Sequence, residues 1–276
     1  MVLGRSILSA PPPMHDFLPI TDAREVQAFL DQIPLRVDRE RFTRFVLGFP
    51  HRYLQLTAPV ETVAHFALVA TLAGRAVSSR LARDGDGWKL VVVAGDRSRL
   101  FSRIAGSLSF FGADIVSAEA FSNSEALVLD TFSVADAQRR FEQPEEGRRF
   151  QAFLEKVLAG EVDLERELEA KGGRVSSRLE LLWDEEPHPA ATGLTVSGPD
   201  AFGLLHAITR RISDAGLSIE IAHVETRAGR IRDTFYLTSQ GRKLTAEDRQ
   251  ALADALAALD GPEAPAGGLT SSREHE

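Results

Sequence analysis

The sequence predicts an α+β fold in which two copies of one supersecondary unit follow an N-terminal helical segment. Two observations carry this. The stretch from Leu90 through Asp96-Arg97-Ser98-Arg99-Leu100 and Gly112-Ala113-Asp114-Ile115 to Asp130-Thr131-Phe132 returns as Leu194 through Asp200-Ala201-Phe202-Gly203-Leu204 and Gly216-Leu217-Ser218-Ile219 to Asp233-Thr234-Phe235. Asp96 maps to Asp200, Ile104 to Ile208 and Gly112 to Gly216 at one constant offset, and the Asp-Thr-Phe triplet realigns after a hairpin one residue shorter. A repeat at this spacing means two copies of one folding unit. Within each copy the apolar period switches between that of strands and that of helices, in the order strand, helix, strand, strand, helix.

The elements follow in order. Residues 1–20 hold Pro11-Pro12-Pro13 and read as a disordered arm, because polyproline is extended and carries no internal hydrogen bonds. From Thr21 the pattern is helical: Thr21 or Asp22 caps, Glu25 completes a capping box, and Val26, Phe29, Leu30 and Ile33 share a face. A second helix fits Asp38 to Leu47, stopped by Gly48 and Pro50. Pro59 opens a third, to about Ala73, whose apolar residues nearly encircle it and predict substantial burial. Ala76 to Arg83 and Trp88 to Ala94 form a hairpin through Asp84-Gly85-Asp86-Gly87. A helix over 98–111, strands over 114–122 and 126–134 and a helix over 147–160 complete the first copy. The charged run Val162 to Lys171 reads as a linker, or a helix end plus a linker.

Val175-Ser176-Ser177-Arg178-Leu179 repeats Val77-Ser78-Ser79-Arg80-Leu81 letter for letter, so a strand before each core belongs to the repeat. Strand 193–198, helix 202–215, strands 218–227 and 230–238 and helix 245–259 follow. The second copy ends on a helix, so the fourth strand of a split βαββαβ sheet must lead the unit. The expectation is two ferredoxin-like domains with a permuted, leading strand. Its boundaries are an arm over 1–20, a helical segment over 21–74, domains over 75–171 and 172–260, and a disordered tail over 261–276.

Composition narrows the function. The chain has 276 residues, a net charge of −8 and no cysteine. The acidic balance argues against nucleic acid, and the missing thiols remove disulfides, thiolate catalysis and most structural zinc sites. No apolar run approaches membrane-helix length, and the reading is a soluble, cytoplasmic chain. Asp84-x-Asp86 imitates a metal-binding pair, but hairpin turns use Asp and Gly for backbone reasons alone. His15-Asp16 is a lone pair beside a proline run, and His51, His65, His188, His206, His223 and His275 show no ligand spacing. His206 reads as a partly exposed helix residue. Arg210-Arg211 and Arg227, Arg230 and Arg232 read as solvated faces. No cofactor, metal or catalytic residue is assigned.

The Asp-x-x-Gly-Leu turn at Asp200-Ala201-Phe202-Gly203-Leu204, the Gly-x-x-Ile step at Gly216-Leu217-Ser218-Ile219 and the two-copy layout resemble ACT domains, which are small amino-acid-sensing modules. The run Asp96 to Gly106, the ending Asp233-Thr234-Phe235-Tyr236-Leu237-Thr238 with Gly241-Arg242-Lys243-Leu244, and Arg52-Tyr53 upstream are similar to the C-terminal tandem ACT region of bacterial PII uridylyltransferase/uridylyl-removing enzymes. The resemblance covers roughly residues 40 to 260. The nucleotidyltransferase and HD hydrolase domains of that family have no counterpart motif in this sequence.

The resemblance implies a small amino acid at a domain interface, against the turn between first strand and first helix. A helix N-terminus favours a carboxylate there and glycine allows close approach. The residues implied are Asp200, Ala201, Phe202, Gly203, Leu204 and Ser218 in the second copy, with Asp96, Arg99, Leu100 and Asp114 in the first. The alternative is that Asp200 merely caps a helix. Arg99 departs from the family glycine. It either pairs with Asp114 and occludes the first site, grips a ligand carboxylate, or is solvated like Asp114.

The resulting expectation is a non-catalytic regulatory protein of nitrogen or amino-acid metabolism that senses an amino acid, glutamine by analogy. Its N-terminal helices would contact a protein partner. Domain pairing would be intramolecular or within a homodimer. The other readings are a subunit or remnant of a PII uridylyltransferase, and an interaction module with no ligand.

Overall fold

The computed structural model describes residues 18–33, 37–72, 74–123, 125–172, 175–184 and 190–259. The predicted tail, most of the arm, His15-Asp16 and Pro187-His188-Pro189 lie outside the described residues. The last residues assigned to the arm are docked: the Ile20 N–H donates to the Phe49 carbonyl at 2.8 Å, and the Ile20 side chain is buried.

Four helices open the chain: α1 (Ala23–Leu30), α2 (Arg39–Val46), α3 (His51–Leu56) and α4 (Pro59–Ala70). Asp22 and Asp38 cap the first two by accepting the Arg24 and Arg41 N–H groups. α3 is too short to show a period in sequence. α4 is less buried than its composition predicts. Val63, Phe66 and Val69 pack inward, whereas Val60 is 60% exposed and Ala67 and Ala70 face solvent. The helix meets protein on one side only.

The remainder is one antiparallel sheet with helices. The first unit holds β1 (Val77–Asp84), β2 (Gly87–Gly95), α5 (Leu100–Phe110), β3 (Asp114–Ser122), β4 (Leu127–Ala135), α6 (Pro144–Ala159) and α7 (Leu164–Gly172). The second holds β5 (Glu180–Asp184), β6 (Thr192–Pro199), α8 (Leu204–Asp214), β7 (Ser218–His223), β8 (Thr226–Arg227), β9 (Arg230–Thr238) and α9 (Ala246–Ala257). The strand order is β1-β2-β4-β3-β7-β9-β6-β5, with the short β8 on β9. The leading strand therefore sits at the outer edge of each unit. Both copies carry a register shift at the same repeat position, between Ile115 and Ser117 and between Ile219 and Ile221.

Two element assignments also fail, each for a local reason. Val175–Leu179 is not the leading strand. Val77 pairs with Ala94, while Glu180 pairs with Ser197, so Leu179 stands opposite Gly198, the repeat mate of Ala94. The letter match is thus four residues out of structural register. The Ser177 N–H donates to the Leu259 carbonyl at 3.1 Å and its Oγ to the Pro199 carbonyl at 2.8 Å, which ties this stretch down as coil. Nor is the charged run after α6 a linker. α7 buries Leu164 and Leu168, one helical turn apart, against Val157, Phe110 and Phe153.

One core runs beneath both units. Ile104, Leu108, Phe132 and Phe150 join Ile208, Ile212, Phe235 and Leu252, all fully buried, each contributing roughly 2 kcal/mol. The N-terminal helices cover the opposite face of the first unit through Val91, Phe121 and Leu129. The seam between units pairs Ser117 with His223, Ala118 with Ala222 and Glu119 with Ile221. Above it α5 packs on α8. His206 is buried there, not partly exposed, and its Nδ1 donates to the Ser102 carbonyl at 2.7 Å. Gly106 permits this approach, since a Cβ would stand 2.7 Å from His206 Nδ1. On the other face Arg52 of α3 is 1% exposed. It donates to the Ala120 carbonyl, reaches Glu220 of β7 at 3.1 Å and lies 4.4 Å from the centre of the Phe121 ring. One side chain thus fastens the helical segment to both units.

Candidate functional site

The turn between β6 and α8 opens onto a cleft of about 350 Å³. Gly203 begins the helix at φ 75°, with no side-chain cap, so Asp200 does not cap α8. Asp200, Phe202, Gly203 and Leu204 of the turn, Asp233 of β9, and Ser109 and Asp114 of the first unit line it. The antiparallel seam explains the last contribution: it runs the start of β3 past the end of β7, so the Val224 N–H donates to the Val116 carbonyl at 3.2 Å. Ser218 is exposed and is not among the lining residues, although sequence reading grouped it with this turn. Its repeat mate Asp114 takes that place.

Three carboxylates and no basic side chain line this cleft among the described residues. Burial, then Asp200 and Asp136, raises Asp114. Asp233 is pushed up to about 7, chiefly by burial, with the Glu225 N–H opposing and Asp200 adding to the rise. Such a cleft favours an ammonium group.

The matching turn of the first unit is crossed by Arg99, beside a shallow, open depression of about 580 Å³ lined by Ser98, Arg99, Arg103, Ser213 and Asp214. Arg99 adopts the left-handed conformation, φ 62°, that Gly203 holds in the second. Its N–H donates to Ser213 Oγ at 2.9 Å and its Nε to Asp214 Oδ1 at 2.6 Å. Arg210 joins through Asp214 and Glu165, at 3.6 and 3.2 Å. Arg99 therefore pairs across the units with Asp214, while Asp114 faces the other cleft. The N–H of Asp96 donates to the Ala126 carbonyl, and Leu100 is a core residue. Neither joins the second-copy cleft.

Sequence reading used the Asp-Thr-Phe triplets only as repeat markers. Asp130 shares a strand face with Val128 and Phe132, and its Oδ1 is buried without a hydrogen-bond partner among the described residues. Burial, with Asp96 nearby, pushes its carboxyl up to about 8. An acid recurring at an inward position of an apolar strand was the available signal. The sign of the linkage follows: the unfolded chain ionises above about 4 and the folded chain only above about 8, so this burial costs stability increasingly over that interval. Asp130→Asn is expected to match the wild type at pH 4 and exceed it by roughly 2–4 kcal/mol at pH 8, read from urea unfolding at both values.

Among the described residues no three His, Cys, Asp or Glu side chains are grouped to hold a metal ion, and no helix is long and apolar enough to cross a membrane. No family model matches the chain. It is similar to bifunctional uridylyltransferase/uridylyl-removing enzymes. The protein of Phenylobacterium zucineum is 34% identical over 216 residues, 75% of this chain and 23% of the relative. That of Azospirillum brasilense is 29% identical over 265 residues, 90% of this chain and 26% of the relative. That of Gluconobacter oxydans is 34% identical over 167 residues, 57% of this chain and 18% of the relative. The chain thus spans about a quarter or less of the length of these curated relatives, and it matches their C-terminal region. The regulatory subunit of aspartate kinase from Thermus thermophilus aligns with 14% identity over 67% of this chain and 99% of its own, at a TM-score of 0.19.

Proposed function

We propose that this chain is a regulatory module of two ACT-type units that binds one small amino acid in the cleft at Asp200–Leu204 and signals through its N-terminal helices to a partner in nitrogen metabolism. The observation that carries the reading is the asymmetry of the repeat: the second turn keeps Gly203 and opens on a cleft lined by carboxylates, whereas its mate carries Arg99, tied to Asp214. An α-carboxylate suits the glycine turn at the start of α8, and an α-ammonium suits the carboxylates opposite. Glutamine leads the candidates by analogy with the relatives, whose activity concerns uridylylation. Ligand would act by population shift, favouring one arrangement of the two units across the seam. Homodimerisation belongs to the same proposal.

A thermal-shift panel of free amino acids tests this. A selective rise in Tm is expected, by mass action on the native state. The affinity should also depend on pH. Asp233 gains its charge through pH 7, so binding of an ammonium is expected to tighten about fivefold to tenfold between pH 6 and pH 8. A flat panel contradicts the proposal. The second reading, a subunit working within a uridylyltransferase system, draws on the names of the relatives. Mg²⁺-dependent uridylyl transfer to a PII protein by this chain alone would favour it.

A further inference from the structure

We infer that the cleft between α4 and the outer face of β1 and β2 is a separate small-molecule site, for a small anion with a short apolar body and a hydroxyl or carboxamide head. The cleft encloses about 340 Å³. Val60, Ala64 and Leu68 of α4 form one apolar wall, and Ala82 of β1 and Val91 of β2 the other.

At its base lies His65, 3% exposed. Its Nδ1 is 3.1 Å from the Tyr53 hydroxyl, while its Nε2 is enclosed and has no hydrogen-bond partner among the described residues. Glu61 Oε1 is 3.9 Å from Nε2, too far to satisfy it. A buried polar atom left unpaired costs about 1–3 kcal/mol, which a group from outside can recover. Burial pushes the imidazole down to about 4, so at neutral pH it is uncharged and does not call for an anionic head.

Glu61 is already neutralised by Lys89, 2.8 Å away, which also faces Asp84 at 3.5 Å. A charged head would break that balance. A hydroxyl fits when Nε2 carries the proton, with the Tyr53 hydroxyl donating to Nδ1: it accepts from Nε2–H and donates to the Glu61 carboxylate; a carboxamide, with two N–H groups and a carbonyl, bridges the two in either tautomer. Arg80, also on the outer face of β1, lines the same cleft, is exposed and has no ion-pair partner among the described residues. It supplies the anchor for the anionic end.

The test is histidine-detected NMR of the full chain labelled with ¹⁵N-histidine, titrated with ω-hydroxycarboxylates of roughly four to eight carbons, a span set by a cleft of this size. Unsubstituted carboxylates of equal length are the controls. One chain length should shift the His65 ring signals saturably, and its control should bind about tenfold more weakly, the worth of one hydrogen bond. Ala82→Phe, which adds bulk to open space on an edge strand, should abolish the shift without lowering Tm, and Ala64→Leu should do the same from the opposite wall. No saturable shift with any member, or shifts unchanged in both variants, would leave a crevice that holds only water and overturn the inference.

Discussion

Arg52→Ala is expected to destabilise the chain by about 3 kcal/mol, seen as a fall in Tm of roughly 6–12 °C. The reason is the position of the guanidinium. Arg52 is almost fully buried, whereas its partner Glu220 keeps 22% of its side chain exposed. Water therefore relieves part of the charge left behind on Glu220, which places the loss at the lower end for a broken buried pair. The Ala120 carbonyl loses its donor and the Phe121 ring its cation as well. The damage should be directional. The helical segment keeps its packing on Val91, Phe121 and Leu129 and the part-exposed Glu61–Lys89 pair but loses its one fully buried anchor, so amide exchange should accelerate in α1–α4 before it does in β6 and β9. Arg52→Lys keeps a charge but loses the fork geometry, and should fall between wild type and alanine. A uniform loss of protection across both units would mean that the residue stabilises the seam without joining the helices to it.

The second large effect concerns ligand. Gly203→Arg should fold, because Arg99 shows that this backbone position accepts an arginine at φ 62° in the sister unit. The left-handed conformation costs a side chain about 1 kcal/mol. A Cβ at Gly203 meets only Val175 Cγ2, at an ordinary 3.7 Å. The new side chain would lie where Arg99 lies in the first unit, across the turn and against the other unit's helix end. Affinity for an amino acid should drop on the order of 100-fold or more, a loss of about 2.7 kcal/mol. Gly203→Ala pays the same backbone cost without filling the cleft and should retain most binding. Equal loss in both variants would point to backbone strain instead of occlusion.

The fold was largely legible in the sequence because its information is local. The continuous apolar run of β2 reflects burial on both faces, and the helical spacing in α5 and α8 reflects burial on one. The failures were also local. Val175–Leu179 misled because letter identity is not register, and only the Glu180–Ser197 pairing shows where the strand lies. α7 hid its Leu164 and Leu168 stripe among charges. The site was half legible. Its glycine turn can be read along the chain, but Asp114 reaches the cleft through a non-local strand pairing that no periodicity encodes. Arg99 stands out in the sequence as a departure from glycine, but its partner Asp214 lies across the seam on another helix, which no local pattern encodes.

The central claim is that of the two repeated turns one, at Gly203, takes an amino acid and the other is occupied by its own Arg99. Isothermal titration, with the amino acid selected by thermal shift, tests it most directly. The wild type should bind one molecule per chain and Gly203→Arg none, while Arg99→Gly, which empties the first turn, should bind two. Two molecules on the wild type, or one on all three proteins, would contradict the account.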